Sequence, residues 1–154
     1  MRILVLVDGF DTERMIQSIE RQVQLRDAEV FLLFVRGPAH RAGLEVAPRR
    51  PGGHRLPADR ERAFAEAELE EGWQALAEAE QLASQGGAKV QSRQLEGEPG
   101  HVVCDLAQTE SVDLVVLRGA SRGQPPEGHA HLGPTARYVV DHSPCPVLLL
   151  PTGR

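Results

Sequence analysis

Residues 113–123 read DLVVLRGASRG, and after nine further residues the chain continues with Gly133-Pro134-Thr135. The four apolar residues at 114–117 are too few for a free-standing helix and are typical of a buried strand. Glycines bracket a short loop after this strand, and the proline that follows favours the first turn of a helix. A strand end, a glycine loop and a helix start together predict a concave backbone surface that suits an anion, most often phosphate. The glycines would serve equally well in a simple chain turn, so both interpretations stay open.

Strands and helices alternate along the rest of the chain. Short apolar runs predict buried strands, and one partly alternating run predicts an edge strand. The predicted strands cover residues 3–7, 30–35, 89–95, 114–117 and 147–150. Helical patterns fall between the strands, which indicates a parallel sheet with helices on both faces. In such sheets ligands bind beyond the carboxyl ends of the strands, where Asp8 and the glycine loop both lie.

The longest predicted helix spans residues 59–85 and is rich in alanine and glutamate. Three- and four-residue steps place an apolar stripe on one of its faces, which includes Leu69 and Trp73 (or Gly72). We expect Trp73 to anchor the core. The glutamates of this helix, Glu68 among them, are expected to lie largely on the solvated side.

Composition excludes several classes of protein. The 154 residues predict one domain with ordinary hydrophobic (41%) and charged (25%) content. A net charge of -5 argues against nucleic-acid binding, which normally needs a basic surface. Two cysteines do not make a disulfide framework and fit a reducing cytoplasm best. The first apolar run, residues 3–7, is too short for a signal peptide or a membrane span.

Residues 36–58 form a segment of different composition. It contains four prolines, four glycines, five arginines and two histidines against one acidic residue, Glu45. The segment shows neither helical nor strand periodicity, so it predicts a long basic insertion in the domain. It is either a flap near bound phosphates or a solvated insertion without a ligand role, and its composition favours the second.

Five motifs follow one another in the order typical of a known family. They read ILVLVDG (3–9), LLFV (32–35), GEP (97–99), DLVVLRG (113–119) and HSPCPVLLL (142–150). With this ordered set the chain resembles the universal stress protein family over nearly its whole length, apart from the insertion. The resemblance implies a single doubly wound α/β domain whose five-stranded parallel sheet has the order 3-2-1-4-5. It also implies a homodimer that pairs the last strands, here Val147, Leu148, Leu149 and Leu150.

The same resemblance implies an adenine-nucleotide site for ATP or AMP. Nucleotide-binding members show the pattern G-x2-G-x9-G-[ST] after the fourth strand, and here Gly123 and Gly133 have the nine-residue spacing. Ala120 stands at the place of the first glycine and Pro134 at the place of the hydroxyl residue, so the loop is altered. The implied nucleotide-binding residues are Val7, Asp8, Gly9, Val35, Gly119, Arg122, Gly123, Gly133 and Thr135.

The resemblance therefore implies an adenine-nucleotide-binding stress-response or signalling module and no classical enzyme. The first alternative is a dimeric protein-interaction module without nucleotide, which Ala120 and Pro134 favour because proline removes a backbone N–H from the cradle. A nucleotide hydrolase ranks last, because residues 7–11 provide no glycine-rich loop after the first strand. No metal site is predicted, since the histidines at 129, 131 and 142 lack cysteine or carboxylate partners at ligand spacing.

Overall fold

A computed structural model of the chain describes residues 1–37, 58–120 and 132–151. Five strands form one sheet: β1 (Arg2–Leu6), β2 (Glu29–Arg36), β3 (Lys89–Glu96), β4 (Leu114–Arg118) and β5 (Val147–Leu150). Within the described ranges there are four helices: α1 (Thr12–Gln22), α2 (Ala58–Gln85), α3 (Pro99–Thr109) and α4 (Pro134–His142). All strand pairs are parallel and the strand order is β3-β2-β1-β4-β5. The predicted fold class and strand order are therefore confirmed.

Alternation along the central strands divides the core into two layers. Ile3 and Val5 pack with apolar residues of α1 and α2 on one face of the sheet. Leu4, between them, packs with apolar residues of α3 and α4 on the other face. Successive side chains of a strand point to opposite faces, so a strand that is apolar at every position needs cover on both sides. The predicted helices supply that cover.

The buried face of α2 differs from the predicted stripe. Trp73 is 47% exposed and Leu69 is 38% exposed, so the expectation that Trp73 anchors the core is wrong. Gly72 is buried instead, and a Cβ atom there would overlap the Gln94 side chain on β3. Glu68, one turn earlier, is only 7% exposed, which contradicts its predicted place on the solvated side. Close approach of β3 to the helix therefore selects the face that carries glycine.

The accessibility of Trp73 leads to a spectroscopic prediction. It is the only tryptophan of the chain, so intrinsic tryptophan emission reports on this position alone. We expect acrylamide to quench the folded protein readily. Trp73→Ala should lower the free energy of unfolding by about 1–2 kcal/mol, less than the roughly 3–5 kcal/mol of a fully buried tryptophan, because about half of the side chain stays in water. Strong protection of the fluorescence from acrylamide would contradict the exposed placement.

The segment that connects β2 to α2 is shorter at both ends than the predicted insertion. Arg36 is the last residue of β2 and Ala58 is the first residue of α2, so both belong to regular elements. Residues 38–57, which make up the rest of the predicted insertion, lie outside the described residues. In the parts of the chain that are described, no helix is both long enough and apolar enough to cross a bilayer.

Candidate ligand-binding site

A cavity of about 310 Å³ opens at the carboxyl ends of β1, β2 and β4, beside the first turn of α4. Six of the predicted binding residues line it: Val7, Asp8, Val35, Gly119, Gly133 and Thr135. Gly9 is not in the lining, because it turns at a φ of +77° toward α2, where a Cβ atom would lie 3.7 Å from Ala75 Cβ. Arg122 and Gly123, the other two, lie outside the described residues.

Asp8 occupies the turn that follows β1. Its Oδ1 accepts a hydrogen bond of 3.0 Å from the backbone N–H of Phe10, as expected for a strand-end turn residue. Its Oδ2 lies 3.0 Å from Nε of Arg118, the last residue of β4. The Asp8 side chain is 38% exposed and that of Arg118 only 7% exposed. Asp8 therefore both holds the turn and contributes to the cavity, but its carboxylate already has a cationic partner.

Arg118 is the main site residue that sequence reasoning missed. Its Nη2 donates to the carbonyl oxygens of Phe10, at 2.5 Å, and Asp11, at 3.1 Å, while its guanidinium lies 5.7 Å from the centre of the Phe10 ring. These contacts tie the loop after β1 to the end of β4. A signal was present in the sequence: an arginine ends an apolar strand that the predicted order places beside β1. A buried guanidinium needs a carboxylate partner, and Asp8 is at the neighbouring strand end.

Two glycines of the predicted phosphate cradle that the structure describes use their backbone N–H groups in contacts within the protein. The N–H of Gly119 donates to Leu150 O at 2.9 Å, and the N–H of Gly133 donates to Gly119 O at 2.8 Å. Pro134 has no N–H to offer. Neither glycine adopts a positive φ, so the left-handed conformation is not the reason for glycine at either position. The two glycines connect β4, β5 and α4 to one another.

The first turn of α4 keeps donors for a ligand. The N–H groups of Thr135 and Ala136 make no backbone hydrogen bond to other described residues. Both residues line the cavity, and Thr135 adds a hydroxyl group. The N-terminus of a helix carries a partial positive charge, so this turn suits an anionic group.

Apolar residues form the opposite wall. Phe34 and Val35 line it from β2, together with Pro99 at the start of α3. Gly37 also lines it, and a Cβ atom there would come within 2.5 Å of the Gly97 carbonyl oxygen. A small residue at position 37 therefore keeps the end of β2 against the turn before α3. The cavity thus combines a flat apolar side with a polar side made by α4.

Cys104 is not an activated nucleophile. Cys104 lies partly buried in α3, and burial raises the pKa of its thiol, with smaller contributions from Asp105 and Cys145. A thiol kept neutral reacts slowly. Because the folded-state pKa is the higher one, this shift stabilises the fold below the unfolded-state pKa, and the contribution disappears as the pH rises through the folded-state pKa.

We expect iodoacetamide to alkylate Cys104 more slowly in the folded protein than in urea at the same neutral pH. Mass spectrometry of the peptide that contains Cys104 measures the two rates, and the peptide that contains Cys145 is read separately in the same digest. Equal rates for Cys104 in the two states would contradict a protected thiol.

A parallel sheet of this order, with a cavity at its carboxyl edge, defines a doubly wound α/β domain of the ligand-binding class. The sequence profile of the universal stress protein family matches residues 1–151. The chain belongs to the universal stress protein family.

Known proteins of this family are similar in sequence and in fold. A universal stress protein of Methanocaldococcus jannaschii is 26% identical over 152 residues, which cover 97% of this chain and 81% of the relative. The structure of a universal stress protein of Lactobacillus plantarum superposes with a TM-score of 0.72 at 25% identity, covering 97% of each chain. A family protein of Arabidopsis thaliana, solved with AMP bound, has a TM-score of 0.66 at 16% identity and shares the fold over 99% of this chain and 92% of its own.

Acidic, histidine and cysteine side chains do not converge into a metal site in the described parts of the chain: no group of three or more such residues is placed to hold an ion. Two of the histidines considered above as metal ligands, those at positions 129 and 131, lie outside the described residues.

Proposed function

We propose that the cavity binds an adenine nucleotide and that the protein acts as a nucleotide-dependent stress-response or signalling module. The observation that carries the proposal is the pair of backbone N–H groups at Thr135 and Ala136, which make no backbone hydrogen bond to other described residues and lie at a helix N-terminus beside the cavity. The apolar wall at Phe34 and Val35 suits the flat face of a base. The Arabidopsis thaliana family protein with AMP bound supports the same ligand class.

The size of the cavity favours AMP over ATP. Ligand pockets usually measure about 300–1,000 Å³. At about 310 Å³ this cavity is at the lower end of that range. Among the described residues, the N–H groups of Gly119 and Gly133 are used in other contacts and Pro134 has none, so few of their donors are left for three phosphates. One phosphate at the first turn of α4 matches the donors that the described residues provide.

Titration calorimetry with three ligands tests this proposal, after acid release and chromatography have shown whether nucleotide co-purifies. We expect AMP to bind in the micromolar range, about -8 kcal/mol. Adenosine lacks the group that α4 would hold, and ribose 5-phosphate lacks the base, so both should bind more weakly. No heat with AMP or ATP, together with no co-purified nucleotide, would overturn the proposal in favour of the interaction module without nucleotide.

We propose binding without classical enzymatic turnover. Among the described residues of the lining, Asp8 is the one carboxylate and so the candidate for a general base. The Arg118 guanidinium and the Phe10 N–H already engage both oxygens of Asp8. A carboxylate held in this way serves for orientation better than for proton abstraction.

We also propose a cytoplasmic homodimer that pairs β5 of two copies. β5 is an edge strand, and Val147, Leu148 and Leu149 are only half-buried. The carbonyls of Pro146 and Leu150 accept hydrogen bonds from β4, a register that turns the backbone groups of Val147 and Leu149 to the free edge. An apolar edge strand is a ready site for pairing with another chain.

The free cysteines, Cys104 and Cys145, fit a reducing compartment.

Sedimentation equilibrium tests the dimer. We expect twice the chain mass of 16.8 kDa at micromolar concentration. Val147→Pro removes an N–H at the free edge and should shift the equilibrium toward monomer, provided that circular dichroism shows an unchanged fold. A monomeric mass for the wild-type protein would overturn this part of the proposal.

A further inference from the structure

A second cavity, of about 170 Å³, lies between α1 and the end of β5. Its polar lining consists of Arg14, Ser18 and Arg21 from α1 and Arg118 from β4, and Leu150 closes one side. Positions 14, 18 and 21 are spaced by four and three residues, so a helix presents them on one face. The cavity is separate from the proposed nucleotide site, except that Arg118 contributes to the lining of both.

The electrostatics of this cavity are one-sided. Three guanidinium groups line it, and no carboxylate does so among the described residues, although the chain as a whole has a net charge of -5. Asp8, the partner of Arg118, lines the first cavity and not this one. Arg21 donates its Nε only to the carbonyl of Gln17 in its own helix, at 3.4 Å. The described lining therefore offers guanidinium groups to a ligand and no carboxylate that would repel an anion.

Arg118 is a buried residue of the lining of this cavity. Its side chain is 7% exposed, and its Nε, although 3.0 Å from Asp8 Oδ2, has no partner in hydrogen-bond geometry. Its Nε faces Asp8 and its Nη2 donates to two backbone carbonyls, so Nη1 is the guanidinium nitrogen for which the described residues supply no partner and the donor that an anion in this cavity can engage. Arg14 makes other interactions as well, so the argument rests on Arg21 and Arg118.

We propose that this second cavity binds a tetrahedral oxyanion, with inorganic phosphate as the probe. Guanidinium groups pair with phosphate oxygens through two parallel N–H donors, which makes arginine the preferred residue for such ligands. The volume of about 170 Å³ holds one such group and is too small for a nucleoside. This inference goes beyond the nucleotide proposal, since it holds whether or not the first cavity binds AMP.

Residue-resolved NMR titration with inorganic phosphate, at ionic strength matched with chloride, tests the proposal. We expect saturating shifts of amide signals in α1 and at Leu150, with a dissociation constant in the millimolar range. Arg21→Gln should weaken binding by about tenfold or more, because it removes charged hydrogen bonds to the anion. Arg21→Lys keeps the positive charge but not the parallel N–H donors of the guanidinium. Its phosphate affinity should therefore lie between those of the wild type and Arg21→Gln.

Arg26→Gln is the matched control. It makes the same charge change on an exposed arginine outside the cavity lining and should leave phosphate binding unchanged. Shifts in α1 with inorganic phosphate alone indicate the free anion as the ligand, whereas the same shifts with AMP indicate the phosphate of a larger molecule. Shifts confined to Thr135 and Ala136, or no saturation with phosphate, would overturn the proposal. Equal weakening by Arg26→Gln and Arg21→Gln would also overturn it, since that result indicates general charge screening.

Discussion

Arg118→Met is expected to lower the free energy of unfolding by about 3 kcal/mol. The substitution leaves the Asp8 carboxylate without its cation and leaves the Phe10 and Asp11 carbonyls without their side-chain donor. Removing one partner of a buried ion pair costs about 3–5 kcal/mol. Because Asp8 is 38% exposed, water screens part of its charge, and we expect the lower end of that range.

Urea denaturation of the wild type, Arg118→Met, Asp8→Asn and the double variant measures this effect as a double-mutant cycle. We expect the double variant to be less destabilised than the sum of the two single variants, because each single change already breaks the pair. Arg118→Lys retains a charge but not the fork that reaches three oxygens, so it should lie between wild type and Arg118→Met. A loss of less than about 1 kcal/mol for Arg118→Met would mean that the Asp8–Arg118 ion pair does not stabilise the fold appreciably.

Thr135→Glu is expected to separate ligand binding from stability. A carboxylate in the first turn of α4 interacts favourably with the helix dipole, so the free energy of unfolding should stay equal or rise by about 0.3–1 kcal/mol. The same carboxylate lines the cavity at the donors proposed for phosphate and repels an anionic ligand. We therefore expect AMP affinity to fall by about tenfold or more, the equivalent of a lost charge-assisted contact.

Gln108→Glu is the matched control for this variant. It introduces the same charge on an exposed residue in the last turn of α3, outside the cavity lining. Calorimetric titration with AMP should give wild-type affinity for the control and weak binding for Thr135→Glu. Unchanged AMP affinity in Thr135→Glu would place the phosphate away from the first turn of α4. Adenosine should bind wild type and both variants equally, because it carries no charge.

Much of the fold could be predicted because a strand that is buried on both faces shows as a continuous apolar run in the sequence. The runs at 3–7 and 30–35 are apolar at every position, and only cover on both sides accommodates such a pattern. The order of the strands came from the family resemblance and is confirmed by the sheet. The meeting of Asp8 and Gly119 at one cavity follows from the direction of the strands, since parallel strands place both residues at the same edge of the sheet.

The faces of α2 were not predictable from periodicity. Steps of three and four residues lead back from Leu76 either through Trp73 to Leu69 or through Gly72 to Glu68, and the apolar path looks better in the sequence. The structure takes the second path, and the Gln94 side chain of β3 packs so close to Gly72 that it would have to move if position 72 carried a Cβ atom. Which face of α2 is buried is therefore a matter of the contact between β3 and α2, which local periodicity does not reveal.

The sequence by itself determined the alternation of elements, the two-sided core and the edge at which a ligand can bind, because these depend on local periodicity and on the direction of parallel strands. Only the tertiary structure decided which donors remain there. The N–H groups of Gly119 and Gly133 join β4, β5 and α4 to one another, so among the described residues the free donors at this edge lie in the first turn of α4. The partner of Asp8 was likewise decided by tertiary structure, since Arg118 lies 110 residues further along the chain and meets it because β1 and β4 are neighbours.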